Sequence, residues 1–272
     1  MPRWVQIIIM LAATLTFSCS GPNNIFSDLA SPSPAPQETF DVSSVVGDVL
    51  STFEAANLSL PENLARNSAV KVLRPFEDGH GSGTYMKMHG RFVVITAAHV
   101  VEGYTTMIVE GRDEERLIGR VIYTDDKADL AIILIPPLET RIAFPYHPKK
   151  NKSNLIGAGV SYTGFPGRHG LLTIRGTVAS FEHDMIIINM FGWFGSSGSG
   201  VVDRHGKFLG VVSAIDVGDW MIPLPLNSIV WVAPIWKLNE EVVEVRVKTA
   251  PPLEVFKSFP GAAAPRRGGL PD

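Results

Sequence analysis

Three side chains whose types could work together in nucleophilic catalysis follow one another along the chain as His99, Asp129 and Ser197. An imidazole can take a proton from a serine hydroxyl, and a carboxylate can orient the imidazole while it does so. His99 ends the apolar run RFVVITAAH, and Asp129 stands directly before the apolar run LAIILI. We therefore expect both side chains at the ends of buried strands.

The third residue, Ser197, lies in the glycine-rich stretch GWFGSSGSGVVD. Glycine permits a tight turn in which backbone amides converge on one point, and an oxyanion site needs such a turn. The glycines of this stretch that permit it are Gly195, Gly198 and Gly200. Ser196 and Ser199, in the same stretch, are rival nucleophiles. The nucleophile elbow of the α/β-hydrolases is excluded, because position 199 is serine and a hairpin-like segment follows.

The elements around these residues are short runs of apolar and β-branched residues separated by turns, from about residue 67 to 236. About a dozen such runs without long helices between them predict an all-β fold of antiparallel sandwiches or barrels. A polar connector at 141–151 divides them into two sets of six, and six strands are enough to close a small barrel. The runs are SAVKVL, GTYMKM, FVVITAA, TTMIVE, RLIGRVIY, LAIILI, GVSYTGF, LTIRGTVAS, DMIIINM, GVVD, FLGVVSAI and SIVWVAP.

The amino-acid composition excludes some classes of function. The chain has 272 residues, of which 45% are hydrophobic and 19% are charged, and its formal net charge is -3. This balance provides no basic surface for phosphate contacts, so a nucleic-acid partner is not expected. The single cysteine, Cys19, excludes an internal disulfide framework.

Residues 1–20 have the anatomy of a signal peptide, with Arg3, an apolar run from Trp4 to Phe17, and small residues after it. They predict export to the periplasm, the cell envelope or the medium. Cleavage before Cys19 with lipid attachment, which would tether the protein to a membrane, and ordinary cleavage after residues 18–20 both remain open. An uncleaved anchor is a third alternative.

Two further segments flank the predicted barrels. Residues 21–66 read as a Ser/Pro-rich tether followed by an amphipathic helix with apolar positions from Val42 to Phe53, and Pro61 is expected to end any continuation. Residues 38–66 could also block the site as a propeptide. The extension 237–272 begins with WKLNEEVVEVRVK, which has no assignable period, and its Pro-, Gly- and Arg-rich end is expected to be disordered.

Four stretches together resemble the trypsin-like, chymotrypsin-fold serine peptidases. They are GSGTYMKMHGRFVVITAAHVV around His99, DKADLAIILI around Asp129, YTGFPG at 162–167, and FGSSGSGVVDRHGKFLGVVSA around Ser197. The likeness is greatest to the bacterial, disulfide-free branch with the high-temperature-requirement and glutamyl endopeptidase types. It covers residues 67–236 and implies two perpendicular six-stranded barrels, about 67–140 and 152–236, with the active site between them.

The resemblance also implies residue roles for a serine endopeptidase. Ser197 would attack the substrate carbonyl, His99 would take its proton, Asp129 would orient the imidazole, and the amides of Gly195 and Ser197 would bind the oxyanion. No metal or organic cofactor is required. The substrate backbone would pair with the strand that contains three consecutive residues, Ser213, Ala214 and Ile215.

The resemblance places Phe191 at the base of the primary specificity pocket. Because this residue is not an acid, cleavage after Lys or Arg is disfavoured, and a small or apolar residue is expected before the scissile bond. The resemblance also favours Ser197 over Ser196 and Ser199, because only Ser197 has the glycine two residues before it that the family motif requires. Ser199 and Gly200 depart from the glycine and proline of that motif. The six other histidines are expected on the surface or in turns, and the alternative function is a non-catalytic binding module on the same fold.

Overall fold

The computed structural model describes residues 57–218 and 224–253 of the chain. The predicted signal peptide with Cys19, the tether, the helix between Val42 and Phe53, and the tail from residue 254 lie outside the described residues. In the described part, no helix combines the length and the apolar character needed to cross a membrane. The described strands form two closed six-stranded antiparallel barrels, which confirms the predicted fold class.

The first barrel has the strand order β1-β2-β3-β6-β5-β4. Its core is filled by fully buried aliphatic side chains together with Tyr85 and Met107. β2 and β3 are joined by the two-residue turn His89-Gly90, in which both residues have positive φ, the geometry that suits the twist of a tight hairpin. The strands are β1 Ala69–Leu73, β2 His80–Met88, β3 Arg91–Thr96, β4 Thr106–Glu110, β5 Arg116–Asp125 and β6 Leu130–Leu134.

The second barrel has the order β10-β11-β12-β9-β8-β7 and a separate core around the fully buried Tyr162. The connector between the barrels brings Phe144 against Phe208, with ring centroids 6.2 Å apart. The strands are β7 Gly159–Gly164, β8 Leu172–Glu182, β9 Met185–Asn189, β10 Gly200–Asp203, β11 Phe208–Gly218 and β12 Leu224–Pro234. Each of the twelve predicted apolar runs overlaps one strand.

A helix, α1 (Leu60–Ser68), precedes the first strand, at a position where the sequence predicted none. Pro61 was expected to end a helix, but it lies in the first turn, where its missing N–H costs nothing. The Glu62 carboxylate accepts hydrogen bonds from the backbone amide and the hydroxyl of Ser59, both at 2.8 Å, and so closes the start of the helix.

Helix α1 binds both barrels. Towards the second barrel, Glu62 receives two hydrogen bonds from Arg175 of β8, at 2.5 and 2.8 Å. Towards the first barrel, the Asn67 side chain accepts from Arg112 at 2.6 Å and its carbonyl accepts from the Ile142 amide at 3.0 Å. A chain truncated near residue 67 would therefore lose a structural helix, so such a truncation cannot isolate an inhibitory role of residues 38–66.

The second helix, α2 (Glu240–Thr249), begins the C-terminal extension and buries Val243 and Val247 completely. Asn239 caps its start by accepting from the Val242 amide at 3.2 Å. At its end, Arg91 of β3 donates to the carbonyls of Val247 and Ala250, so the extension is fixed to the first barrel.

The Glu62–Arg175 pair predicts a pH-dependent stability. The hydrogen bond from Arg175 lowers the pKa of Glu62 from 4.5 to about 2. Since the pKa is lower in the folded state, the carboxylate stabilises the fold fully above about pH 4.5 and loses this effect as the pH falls towards 2. We expect Glu62→Gln to lower the free energy of unfolding at pH 7 by about 0.5–1.5 kcal/mol.

Urea unfolding at pH 7, 4 and 3 measures this effect, and the difference between wild type and Glu62→Gln should shrink as the pH falls. Glu241→Gln, at an exposed position of α2, is the control. An equal difference at all three pH values would show that the charge of Glu62 is not what stabilises the helix.

Candidate active site

His99 lies just beyond the end of β3, in a single turn of 3-10 helix at Ala98–Val100. Ala97, Ala98 and Val100 around it are buried, so the backbone of the turn is packed against the first barrel. The imidazole itself is 45% exposed. The strand end thus holds the backbone of His99 while leaving its ring accessible to solvent, more openly than its apolar sequence neighbours suggested.

Asp129 directly precedes β6 and has a positive φ of 52°. The turn before it is held by Asp125, whose carboxylate accepts from the amides of Lys127 at 3.1 Å and Ala128 at 3.0 Å. One oxygen of Asp129 accepts from the His99 amide at 3.1 Å, and the other lies 3.0 Å from His99 Nδ1. With Nδ1–H donating to the carboxylate, Nε2 is left as the proton acceptor of the ring.

A further hydrogen bond to Asp129 comes from the second barrel, where the hydroxyl of Ser213 on β11 donates to Asp129 Oδ2. The register of β11 against β12 shifts between Val212 and Ala214, so Ser213 sits at a bulge, a local irregularity that can redirect a side chain. The sequence pointed to Ser213 only as part of a substrate-binding strand. Its contact with Asp129 depends on the packing of the two barrels and has no signal in the sequence.

The electrostatic state of Asp129 follows from these contacts. Burial alone would raise its pKa, but hydrogen bonds from the His99 ring, the Ser213 hydroxyl and the His99 amide outweigh burial. Together they hold the pKa of the Asp129 carboxyl below its ordinary value. Asp129 is therefore an anion at neutral pH, in contact with the protonated ring nitrogen of His99.

Ser197 differs from its two rivals in accessibility. Ser196 is 1% exposed and its hydroxyl donates to the Trp193 carbonyl at 2.5 Å, and Ser199 is fully buried. Ser197 is half-buried, and its hydroxyl donates to the Ser213 carbonyl at 3.4 Å. Between these described residues there is no hydrogen bond from Ser197 to the His99 ring, a contact that is often long until a substrate is bound.

The loop before Ser197 presents two unoccupied backbone donors. The Ser196 amide donates to the Trp193 carbonyl at 3.0 Å, whereas the amides of Gly195 and Ser197 donate to no other residue in the described part of the chain. Gly195 has a φ of 90°, which glycine adopts without strain. Two free amides flanking one bonded amide are what the predicted oxyanion hole requires.

The carbonyls of this loop are held by residues outside it. The Phe194 carbonyl accepts from the Gly167 amide at 2.6 Å, and the Gly195 carbonyl accepts from the Ser82 hydroxyl at 2.7 Å. Because both carbonyls are bound elsewhere, neither is free to turn towards the two open amides and occupy them.

Ser82, a fully buried residue of β2, is the main contact of the first barrel with this loop. Its amide donates to the Ser197 carbonyl at 2.7 Å, and its hydroxyl also accepts from the Phe165 amide at 3.0 Å. At Gly198 the loop passes so close that an added Cβ would lie 2.0 Å from the Ser82 carbonyl oxygen. The sequence offered no sign of this role beyond the glycines that flank Ser82.

The remaining predicted residues are placed around the same loop and strand. Phe191 is 42% exposed, so its assignment to the base of a pocket stays a prediction. Ala214 is exposed and Ile215 half-buried on β11. His80, expected to be a surface or turn residue, instead donates from Nε2 to the Phe165 carbonyl at 2.7 Å and lies beside Gly195.

The buried bonds of Ser82 lead to a stability prediction. Ser82→Ala removes a hydroxyl that donates to the Gly195 carbonyl and accepts from the Phe165 amide. Both backbone groups lose this partner. We expect it to lower the free energy of unfolding by about 1–3 kcal/mol. Ser180→Ala, whose exposed hydroxyl makes one 3.4 Å bond, should change it by less than about 0.5 kcal/mol. Urea unfolding measures both, and an equal effect of the two substitutions would contradict the role of Ser82.

The family model and the similar proteins found by comparison are all described as peptidases or proteases. Residues 81–211 match the model of the trypsin-like peptidase domain. HhoA of Synechocystis sp., whose name assigns it to the serine proteases, is 31% identical over 152 residues, which are 55% of this chain and 34% of HhoA. The chain therefore spans about a third of the length of this curated relative.

Two solved structures share the fold. The serine endoprotease from Yersinia pestis is 19% identical with a TM-score of 0.55, over 70% of this chain and 66% of its own. The HtrA-type protease AlgW, solved with a tripeptide, is 21% identical with a TM-score of 0.57, over 69% and 62%. At these identities the likeness concerns the fold. Residues 81–211 thus match a trypsin-like peptidase domain, and the two six-stranded barrels have the chymotrypsin-like fold.

Proposed function

We propose that this protein is an exported serine endopeptidase that hydrolyses peptide bonds through His99, Asp129 and Ser197. The observation that carries the proposal is the chain of hydrogen bonds from Ser213 through Asp129 to His99, next to an accessible serine with two free amides. These contacts join residues of both barrels at one point. They are the groups that an acyl-transfer site needs.

The proposed reaction begins when Ser197 Oγ attacks the carbonyl carbon of the scissile peptide bond. His99 Nε2 takes the hydroxyl proton and later gives it to the leaving amine, so an acyl-enzyme forms at Ser197. Asp129 remains ionised and stabilises the imidazolium. A water molecule, activated by the same imidazole, then releases the acyl group.

The oxyanion that forms during attack would be bound by the amides of Gly195 and Ser197. Such donors are typically worth several kcal/mol in the transition state, because they are already oriented when the charge develops. The bonds from Ser82 and Gly167 to the neighbouring carbonyls support this, since they fix the orientation of the loop before a substrate arrives.

The substrate backbone would add to β11 at Ser213, Ala214 and Ile215. β10 pairs with β11 only up to Val211, and among the described residues no strand covers residues 213–218 on that side. An unpaired strand edge can accept an extended peptide. Phe191 would then contact the side chain before the scissile bond and favour a small or apolar one, a preference that cleavage of a peptide library would test.

Export would follow from residues 1–20, with Cys19 as the site of lipid attachment if cleavage falls before it. A mass measurement of the mature N-terminus distinguishes this route from ordinary cleavage. Lipid attachment would tether the peptidase to a membrane, whereas cleavage after residues 18–20 would release it.

A fluorophosphonate probe, which reacts with activated serines, tests the proposal on the mature protein. We expect labelling at Ser197, found by peptide mapping, and loss of at least about 10³-fold in labelling rate in Ser197→Ala and His99→Ala. Ser199→Ala, which removes a buried rival hydroxyl, should still be labelled. Casein hydrolysis should likewise be retained in the wild type and Ser199→Ala and be lost in Ser197→Ala and His99→Ala.

The alternative function has one observation in its favour: the Ser197 hydroxyl donates to the Ser213 carbonyl, and no hydrogen bond joins it to His99 in the described part of the chain. A wild-type protein that is folded but neither labelled nor hydrolytic would favour a binding module on the peptidase fold. Labelling at Ser196 or Ser199 would instead contradict the assignment of the nucleophile.

A further inference from the structure

The backbone of His99 is held by a residue outside the predicted triad. Arg74, the first residue after β1, donates from Nη2 to the His99 carbonyl at 2.8 Å and from Nε to the Val100 carbonyl at 3.2 Å. The planar guanidinium carries several donors in a fixed fork, so it can bind two successive carbonyls at once.

These two carbonyls need an external donor. The single 3-10 turn makes only two internal bonds, from the Val100 amide to Ala97 and from the Val101 amide to Ala98, at 3.2 and 3.0 Å. The carbonyls at the end of such a short turn have no partner within it. Arg74 supplies one to both.

Arg74 is in turn fixed by two neighbours. Its guanidinium lies 3.4 Å from the Glu77 carboxylate and 5.7 Å from the centre of the Tyr104 ring. The Tyr104 hydroxyl donates to the same carboxylate, and this bond lowers the pKa of Glu77, which keeps it ionised. The Tyr104 amide also donates to the carbonyl of Val101, the residue that follows the turn, at 3.0 Å.

We infer that Arg74 is a positioning residue for His99. Arg74 binds the backbone carbonyl of His99, while Asp129 binds its backbone amide. The inference rests on the proposed function, because His99 is the base of that reaction. With both sides of its backbone bound, the imidazole has only its side-chain rotations left, and the bond from Nδ1 to Asp129 restricts these.

Loss of the fork would let the turn shift while the core of the barrel remains. We expect Arg74→Ala to lower kcat and the fluorophosphonate labelling rate by between about 10-fold and 100-fold, with KM nearly unchanged, because small displacements of catalytic groups cost rate. Arg74→Lys should recover part of the loss, since an ammonium can bind one carbonyl at a time. Millimolar guanidinium should restore part of the rate of Arg74→Ala.

Arg91→Ala is the matched control, because Arg91 makes the same kind of contact with the carbonyls of Val247 and Ala250 at the end of α2. It removes an arginine–carbonyl fork at the start of β3, whereas His99 lies just beyond the other end of this strand. The stability of Arg91→Ala should be lower than that of the wild type, but its labelling rate per folded molecule should equal that of the wild type.

Hydrogen exchange provides a measurement that does not depend on activity. Peptides covering residues 97–101 should exchange faster in Arg74→Ala than in the wild type and Arg91→Ala. Unchanged exchange there, or an unchanged labelling rate in an active enzyme, would overturn the inference. If the wild type is never labelled, the proposed function fails and the exchange result alone decides whether Arg74 holds the turn.

Discussion

The structure depends on hydrogen bonds that cross the boundary between the two barrels. The carboxylate of Asp129 belongs to the first barrel and receives the hydroxyl of Ser213 from the second. In the opposite direction, Ser82 of the first barrel binds both Gly195 and Ser197 of the second. Neither barrel contains the complete candidate site, so the relative position of the barrels sets the distance between the proposed base, the proposed nucleophile and the free amides.

Helix α1 adds to this constraint from outside the barrels. It binds the second barrel through Glu62 and Arg175 and the first barrel through Asn67, at opposite ends of a nine-residue helix. A short helix bonded at both ends is a rigid spacer. Its charged pair is therefore one of the contacts that connect the two barrels between which the candidate site lies.

The sequence predicted the strands and the three triad candidates, because each has a local signal. Apolar runs with frequent turns mark the strands, and the order and surroundings of His99, Asp129 and Ser197 mark the candidates. Ser82, His80 and Arg74 lack such a signal, since each acts through backbone groups at least 25 residues away in sequence. Helix α2 was missed because its alternating valines resemble a strand, and only the Asn239 cap and the buried Val243 and Val247 distinguish it.

The contact between Ser82 and Gly195 also bears on when the site forms during folding. The two residues are 113 positions apart, and Asp129 and Ser213 are 84 apart. Contacts between such distant segments form late, after the loop-closure entropy of the whole intervening chain has been lost. If the proposed function holds, a newly made chain would thus pass through its partly folded states, when its own unpaired strands are exposed, without an assembled nucleophile. In the proposed peptidase, the division of the candidate site between two barrels would in this way delay cleavage until the folded chain no longer exposes segments that it could cut.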